Sequence, residues 1–175
     1  MDPCCELAKN AVNNFIKNNK IISEGFLPEE LKNQKAGVFV SIYSKKDNKL
    51  KGCIGTFLPI EDNIKKEIIN NAISAAIKDD RFEPIQKKEL SNLIFSVDIL
   101  SQPSAIKNLS ELDTKKFGII VKTDDGRTGL LLPDLEGINK VEHQIAIACQ
   151  KAGINPNEES IGIYKFTVER HQESL

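Results

Sequence analysis

The chain has 175 residues, and its 24 Lys and Arg against 25 Asp and Glu give a formal net charge of −1. A near-neutral chain has no basic field for nucleic acid, and no stretch reaches the length of about 18–20 apolar residues that a membrane span needs. Four scattered cysteines form no secreted disulfide framework. We therefore expect a cytoplasmic protein, folded as one domain over residues 1–175, that does not bind a membrane and for which nucleic acid is a disfavoured partner.

The first half of the chain predicts two helices and a hairpin. Residues 4–18 carry an apolar stripe at helical spacing, which predicts an amphipathic first helix. Residues 36–43 and 49–58 are β-rich and are separated by a polar turn, which predicts a β-hairpin. Residues 61–78 repeat isoleucine and alanine at helical spacing, which predicts a second helix with a broad apolar face.

The second half predicts a further strand, a second hairpin and a third helix. Residues 93–100 read as a strand, and residues 104–116 form a charged connection. Asp-Gly at 125–126 between apolar runs predicts a hairpin over 117–132, followed by a helix over 139–152 and a last strand over 161–169. Helices and hairpins interleave without regular βαβ units, so the pattern indicates an α+β fold with a mixed or antiparallel sheet and about three main helices.

Cys53 is the candidate nucleophile of the sequence. It lies in the run KGCIGTF, residues 51–57, between two glycines that mark close backbone approach in a strand. A reactive thiolate needs a neighbouring cation, and Lys51, two positions away, could supply one. The alternative is a buried cysteine that only fills space, and composition alone favours this alternative.

The second candidate cluster is the turn DDRFEP, which begins at Asp79 and follows the second helix. Asp79 and Asp80 lie at the negative end of that helix, and Arg81 can pair with them. The interpretation is either a charged turn or a carboxylate–guanidinium cluster that binds a ligand. Arg127, after the second hairpin turn, is a further candidate ligand for an anion, with a plain surface arginine as its alternative.

The sequence predicts no metal site and no cofactor. Its two histidines, His143 and His171, belong to no paired Cys or His motif, and His143 lies opposite the apolar stripe of its helix. The run KGCIGTF also lacks the spacing of a phosphate-binding loop. A metal site assembled from Cys4, Cys5 and Cys53 is the remaining metal alternative, and it is disfavoured by ligand spacing.

Four motifs in this order make the chain similar to the AMMECR-one domain family, which includes component A of the AmmeMemoRadiSam system. They are KGCIGTF, the stretch from Ala76 to Pro84 ending in DDRFEP, the hairpin ending in GRTGLLLP, and CQKAG at residues 149–153. The resemblance covers about residues 5–170. It implies an α+β fold with a larger and a smaller lobe and a cleft between them, and association with a Memo-like protein and a radical-SAM enzyme.

The resemblance also assigns residues to the cleft. Those that match its motifs and would contact a substrate or a partner are Gly52, Ile54, Gly55, Thr56 and Phe82.

Two main functions remain open from the sequence. The leading hypothesis is covalent thiol chemistry at Cys53, with Arg81 and Asp79 or Asp80 as polar partners, on a small molecule or a modified residue. The alternative is a non-catalytic binding or scaffold module for a radical-SAM enzyme, with an unreactive Cys53. Nucleotide or RNA binding is a weaker third alternative, because aromatic residues are few and the net charge is near zero.

Overall fold

The computed structural model describes residues 2–23, 25–32 and 34–173. The chain divides into two compact units. The first comprises residues 1–99 and 169–175, and the second is the continuous segment Leu100–Val168.

Helices and strands alternate along the described residues. The α-helices are α1 (Pro3–Asn18), α2 (Glu29–Lys32), α3 (Ile64–Ile77) and α4 (Val141–Lys151), with short 3-10 helices at Lys87–Asn92 and Leu109–Glu111. The strands are β1 (Val38–Ser44), β2 (Leu50–Thr56), β3 (Leu93–Leu100), β4 (Ser104–Ala105), β5 (Gly118–Thr123), β6 (Thr128–Leu131), β7 (Ile161–Phe166) and β8 (Val168–Gln172).

The first unit is built on a sheet with the strand order β2-β1-β3-β8, in which β1 pairs antiparallel with both neighbours. The helices α1 and α3 pack together, and Val38, Val40 and Ile42 of β1 are buried in the same core. Because side chains alternate across a strand, Phe39, Ser41 and Tyr43 lie on the opposite face of the sheet. That second face also carries Cys53, whose Cα is paired with that of Ser41.

A glycine allows α3 to lie directly on β2. A Cβ atom placed on Gly52 would stand 2.0 Å from the carbonyl oxygen of Ala75. A buried polar group also ties α3 to the neighbouring strand β1, because Asn71 of α3 donates to the Val38 carbonyl at 3.0 Å. The first glycine of KGCIGTF therefore serves helix–sheet packing.

The second unit has its own sheet, of order β4-β7-β5-β6, with antiparallel pairing in each adjacent pair. Helix α4 packs on β5 and β6, and a Cβ on Gly129 of β6 would lie 1.9 Å from the carbonyl oxygen of Ala148. Gln144 of α4 is buried and donates to the Phe117 carbonyl at 2.9 Å. The second unit thus attaches its helix to its hairpin in the same way as the first.

The predicted elements and the α+β class are confirmed, and three of the differences from the predicted boundaries have a clear physical form. Helix α3 begins at Ile64, because the Asn63 side chain caps it by accepting from the N–H of Lys66. The connection 104–116 contains β4 and a 3-10 helix. The last predicted strand is divided between β7 and β8, because Thr167 turns to Ser101, exchanging backbone and side-chain hydrogen bonds with it.

Within the described ranges, the helices are all too short or too polar to cross a membrane.

Candidate functional site

Asp79 joins the turn after α3 to the middle of β2. Its carboxylate accepts from the Cys53 N–H at 2.8 Å and from the Arg81 backbone N–H at 3.2 Å. It also accepts from Nε of Arg81 at 2.9 Å and from Nη2 at 2.8 Å. One carboxylate therefore fixes both the strand that carries Cys53 and the side chain of Arg81.

This arrangement keeps Asp79 ionised. Its side chain is only 6% exposed, and the hydrogen bonds from Arg81, with those from the backbone, outweigh burial and lower its pKa to about 2. A carboxylate with that pKa is a poor general base near neutral pH, because it holds a proton too weakly. The role of Asp79 in this site is to hold β2 and the Arg81 side chain in place.

Arg81 is held in place but remains open to solvent. Its side chain is 61% exposed, and its Nη2 also donates to the Cys53 carbonyl at 3.3 Å. Its guanidinium carbon lies 5.3 Å from the centre of the Phe82 ring. Nη1 has no hydrogen-bond acceptor among the described residues, so this one nitrogen of the fixed guanidinium is free to donate outward.

The Cys53 thiol lies in a setting that favours its protonated form. The residue is partly buried, and the Ser41 hydroxyl donates to its Sγ at 3.2 Å. Burial raises the pKa of the thiol, and the charges of Asp98 and Asp79 act in the same direction. The Ser41 hydrogen bond and the Arg81 charge lower the pKa, but they do not overcome burial.

The Lys51 ammonium group forms an ion pair with Glu89 and not with the Cys53 thiol. Its Nζ lies 3.0 Å from a carboxylate oxygen of Glu89. The β1–β2 register steps from Gly52 to Leu50, so Lys51 occupies a β-bulge, a feature that re-aims a side chain. Lys51, Glu89 and Phe82 line a surface cavity of about 330 Å³ in the first unit.

The other residues of KGCIGTF have packing partners. Ile54 packs against the first core, and a Cβ on Gly55 would meet the Phe39 side chain at 2.3 Å. The Thr56 hydroxyl donates to Glu67, a buried carboxylate that also accepts from the N–H groups of residues 60 and 61. The space beside Gly52 and Gly55, which the sequence assigned to an approaching substrate or partner, is thus occupied by the protein's own atoms.

Two charged candidates lie apart from this cluster. Asp80 is exposed, and Asp79 makes the contacts with Arg81. Arg127 belongs to the second unit, where it pairs with Asp125 at 2.9 Å, donates to the Gly153 carbonyl at 2.8 Å and pairs with Glu159. Its guanidinium ties the hairpin turn to the segment after α4.

Sequence reasoning missed several polar residues of the first unit. Ser41 and Ser96 are cross-strand partners, and the buried carboxylate of Asp98 pairs with the more exposed Arg170 at 2.8 Å. The alternation of apolar and polar residues along β1 places Ser41 on the face away from the core, and this position could have been predicted from the sequence. The strand 93–100 reads as continuously apolar apart from Ser96 and Asp98, and periodicity does not pair Asp98 with a residue 72 positions away.

The other three cysteines and His143 lie outside the cluster around Asp79 and Arg81. Cys4, Cys5 and Cys149 are buried, and His143 is exposed.

Comparison with known proteins identifies relatives along nearly the whole chain. The AMMECR1 family model matches residues 5–171. A protein of Thermotoga maritima is 45% identical over 171 residues, which is 97% of each chain. A Clostridium acetobutylicum protein is 46% identical over 175 residues, and the present chain spans 36% of its length.

A solved crystal structure shares the fold of this chain. The crystal structure of the uncharacterized protein PH0010 from Pyrococcus horikoshii is 29% identical, with a TM-score of 0.86 over 98% of this chain and 95% of that one. The matching motifs, the family model and the shared fold lead to one conclusion. The chain belongs to the AMMECR1 family.

Proposed function

We propose that this protein is a non-catalytic binding module that recognises an acidic group of its partner or ligand through Arg81. The proposed partners are the Memo-like protein and the radical-SAM enzyme that the motif resemblance implies. The acidic group is a carboxylate or a phosphate, since either accepts charge-assisted hydrogen bonds from a single guanidinium nitrogen such as Nη1.

The observation that carries the proposal is the fixed and exposed guanidinium of Arg81. A free arginine side chain loses about 2 kcal/mol of rotamer entropy when it is immobilised. Asp79 and Phe82 already hold this one in place, so much of that cost is met before binding. The outward Nη1 supplies charge-assisted hydrogen bonds worth about 1.5–3 kcal/mol to an incoming anion.

The same geometry disfavours covalent chemistry at Cys53, the leading hypothesis from the sequence. A thiol nucleophile needs a lowered pKa or an adjacent base. The pKa of Cys53 is raised, Asp79 is committed to four hydrogen bonds, and Lys51 is paired with Glu89. Neither requirement is met among these neighbours of the thiol.

The proposal is tested by calorimetric titration of the protein with the purified Memo-like protein and the purified radical-SAM enzyme of the same organism. Arg81→Gln should weaken binding to at least one of them about 10–100-fold, the equivalent of about 1.5–3 kcal/mol. Cys53→Ala should leave that affinity within about threefold of the wild type.

Lys66→Gln is the matched control, because Lys66 is another exposed cation of the first unit and is paired with Asp62 at 2.7 Å. It should bind like the wild type. Equal binding by wild type and Arg81→Gln, or no binding by either partner, would overturn the proposed function.

A further inference from the structure

Three side chains of different metal-ligand types meet where the start of α1 lies near β8, within the first unit. One donor atom from each of Asp2, Cys4 and His171 lies within 4.8 Å of the other two. Two of these atoms, Asp2 Oδ2 and His171 Nδ1, are 2.8 Å apart. The three residues are separated by up to 169 positions in sequence, so only the fold brings them together.

The surroundings of this cluster carry excess negative charge. Cys4 is fully buried, and the carboxylates of Asp2 and Glu169 both act electrostatically on its thiol. Asp2 Oδ1 is used as the helix cap, accepting from the N–H of Cys4 at 2.8 Å and from that of Cys5 at 3.2 Å. Its Oδ2 faces His171, so the cap leaves that oxygen available to a cation.

His171 supplies a second, independent observation. Its Nε2 is buried and has no hydrogen-bond partner among the residues that the structure describes. Glu169 Oε1 lies 3.3 Å from this nitrogen, within ion-pair distance but without hydrogen-bond geometry. A histidine that binds a metal through one ring nitrogen usually directs the other to a carboxylate, and Glu169 is placed to be that carboxylate.

We propose that Asp2, Cys4 and His171 form a zinc site, with Asp2 Oδ2, Cys4 Sγ and His171 Nδ1 as ligands and Glu169 as the outer partner of the imidazole. Thiolate, imidazole and carboxylate together match Zn²⁺ better than Mg²⁺ or Ca²⁺, which prefer oxygen ligands alone. This inference is independent of the proposed function of Arg81.

The required rearrangement is small. Zinc bonds of about 2.0–2.3 Å place tetrahedral donor atoms about 3.3–3.8 Å apart. Asp2 Oδ2 and His171 Nδ1, now 2.8 Å apart, would separate by about 0.5 Å, and the widest separation, which is within 4.8 Å, would shorten by about 1.3 Å at most, which are side-chain movements. Three protein ligands leave one of the four positions to water.

The test is titration of tag-free, metal-stripped protein with ZnCl₂ by calorimetry, and with CoCl₂ by absorption spectroscopy. Wild type should bind one Zn²⁺ per chain, and Co²⁺ should give a thiolate-to-cobalt charge-transfer band. Cys4→Ser and His171→Gln should each weaken zinc binding at least tenfold, and Cys4→Ser should also remove the band. Glu169→Gln should weaken binding about 10–100-fold, as outer-partner substitutions do.

Cys5→Ser is the matched control, since Cys5 is the neighbouring cysteine and is equally buried but lies outside the cluster. It should retain both the affinity and the charge-transfer band. Circular dichroism establishes which variants are folded. If Cys4→Ser does not fold, His171→Gln decides the question, and a cobalt spectrum of that variant identical to the wild type would overturn the proposal. Absence of zinc binding, absence of the band, or equal losses for Cys4→Ser and Cys5→Ser would overturn the proposal.

Discussion

Replacing Gly52 with alanine should destabilise the first unit, because the added methyl group has no space. The new Cβ would lie 2.0 Å from the Ala75 carbonyl oxygen, and this is a backbone atom of α3 that cannot turn aside as a flexible side chain can. Overpacking a core costs about 1–3 kcal/mol, and a backbone collision belongs at the upper end of that range.

A smaller effect acts in the opposite direction. Alanine restricts the unfolded chain more than glycine does, which stabilises the folded state by about 0.4–1 kcal/mol. The net loss should therefore be about 2 kcal/mol. With a denaturant slope of about 2 kcal/mol per molar urea, the midpoint of unfolding should fall by about 1 M.

Urea unfolding followed by circular dichroism measures this change, with two other glycines for comparison. Gly129→Ala places its Cβ 1.9 Å from the Ala148 carbonyl oxygen and should destabilise the second unit similarly. In Gly162→Ala the nearest contact of the new Cβ is at 3.4 Å, with the Tyr164 ring, and this variant should lose no stability. Equal midpoints for Gly52→Ala and Gly162→Ala would refute direct packing of α3 on Gly52.

Further predictions concern the polar ties of the first unit. Asp79 has its pKa lowered from 3.8 to about 2 by folding, so its stabilisation is present above about pH 4 and disappears as pH falls through about 2. The free energy of unfolding of Asp79→Asn should accordingly be about 2 kcal/mol lower than that of the wild type at pH 7. Unfolding measured at decreasing pH should show this difference shrinking below pH 4, and a constant difference would contradict stabilisation by the ionised carboxylate. Thr56→Val leaves the buried Glu67 and Asn71 each short of one partner and should cost about 1–3 kcal/mol in urea unfolding. Thr128→Val, at a hydroxyl that donates to the exposed turn carbonyl of Gly126, should cost less than 0.5 kcal/mol, and equal losses for both threonine variants would count against the network.

The helices and strands could be predicted because each shows its periodicity locally. The contacts of the site could not, because they join residues far apart in sequence. Asp79 and Arg81 are two positions apart and their pairing was foreseen, but the hydrogen bond from the Cys53 N–H to Asp79 spans 26 positions. Glu67 resembles a surface residue of its helix, and only the loop that donates to it explains its burial.

The similarity between the two units was also invisible in sequence. In α3, the amide of Asn71 binds a strand carbonyl and Ala75, four residues later, meets a strand glycine. In α4, Gln144 and Ala148 have the same spacing, and they meet the carbonyl of Phe117, just before β5, and the strand glycine Gly129. Different side chains make equivalent contacts here, so a search for repeated residues finds nothing.

If this site binds a partner without thiol chemistry, Cys53 stays a protonated thiol near neutral pH. The most direct measurement is the pH dependence of Cys53 alkylation by iodoacetamide in the native protein, read by peptide mass spectrometry so that Cys4, Cys5 and Cys149 are followed separately. Because burial raises the Cys53 pKa above its ordinary value of 9.0, labelling at pH 7 should be slow and should still be accelerating above pH 9. Rapid labelling at pH 7, with a rate that levels off by pH 8, would show a thiolate nucleophile and contradict the account.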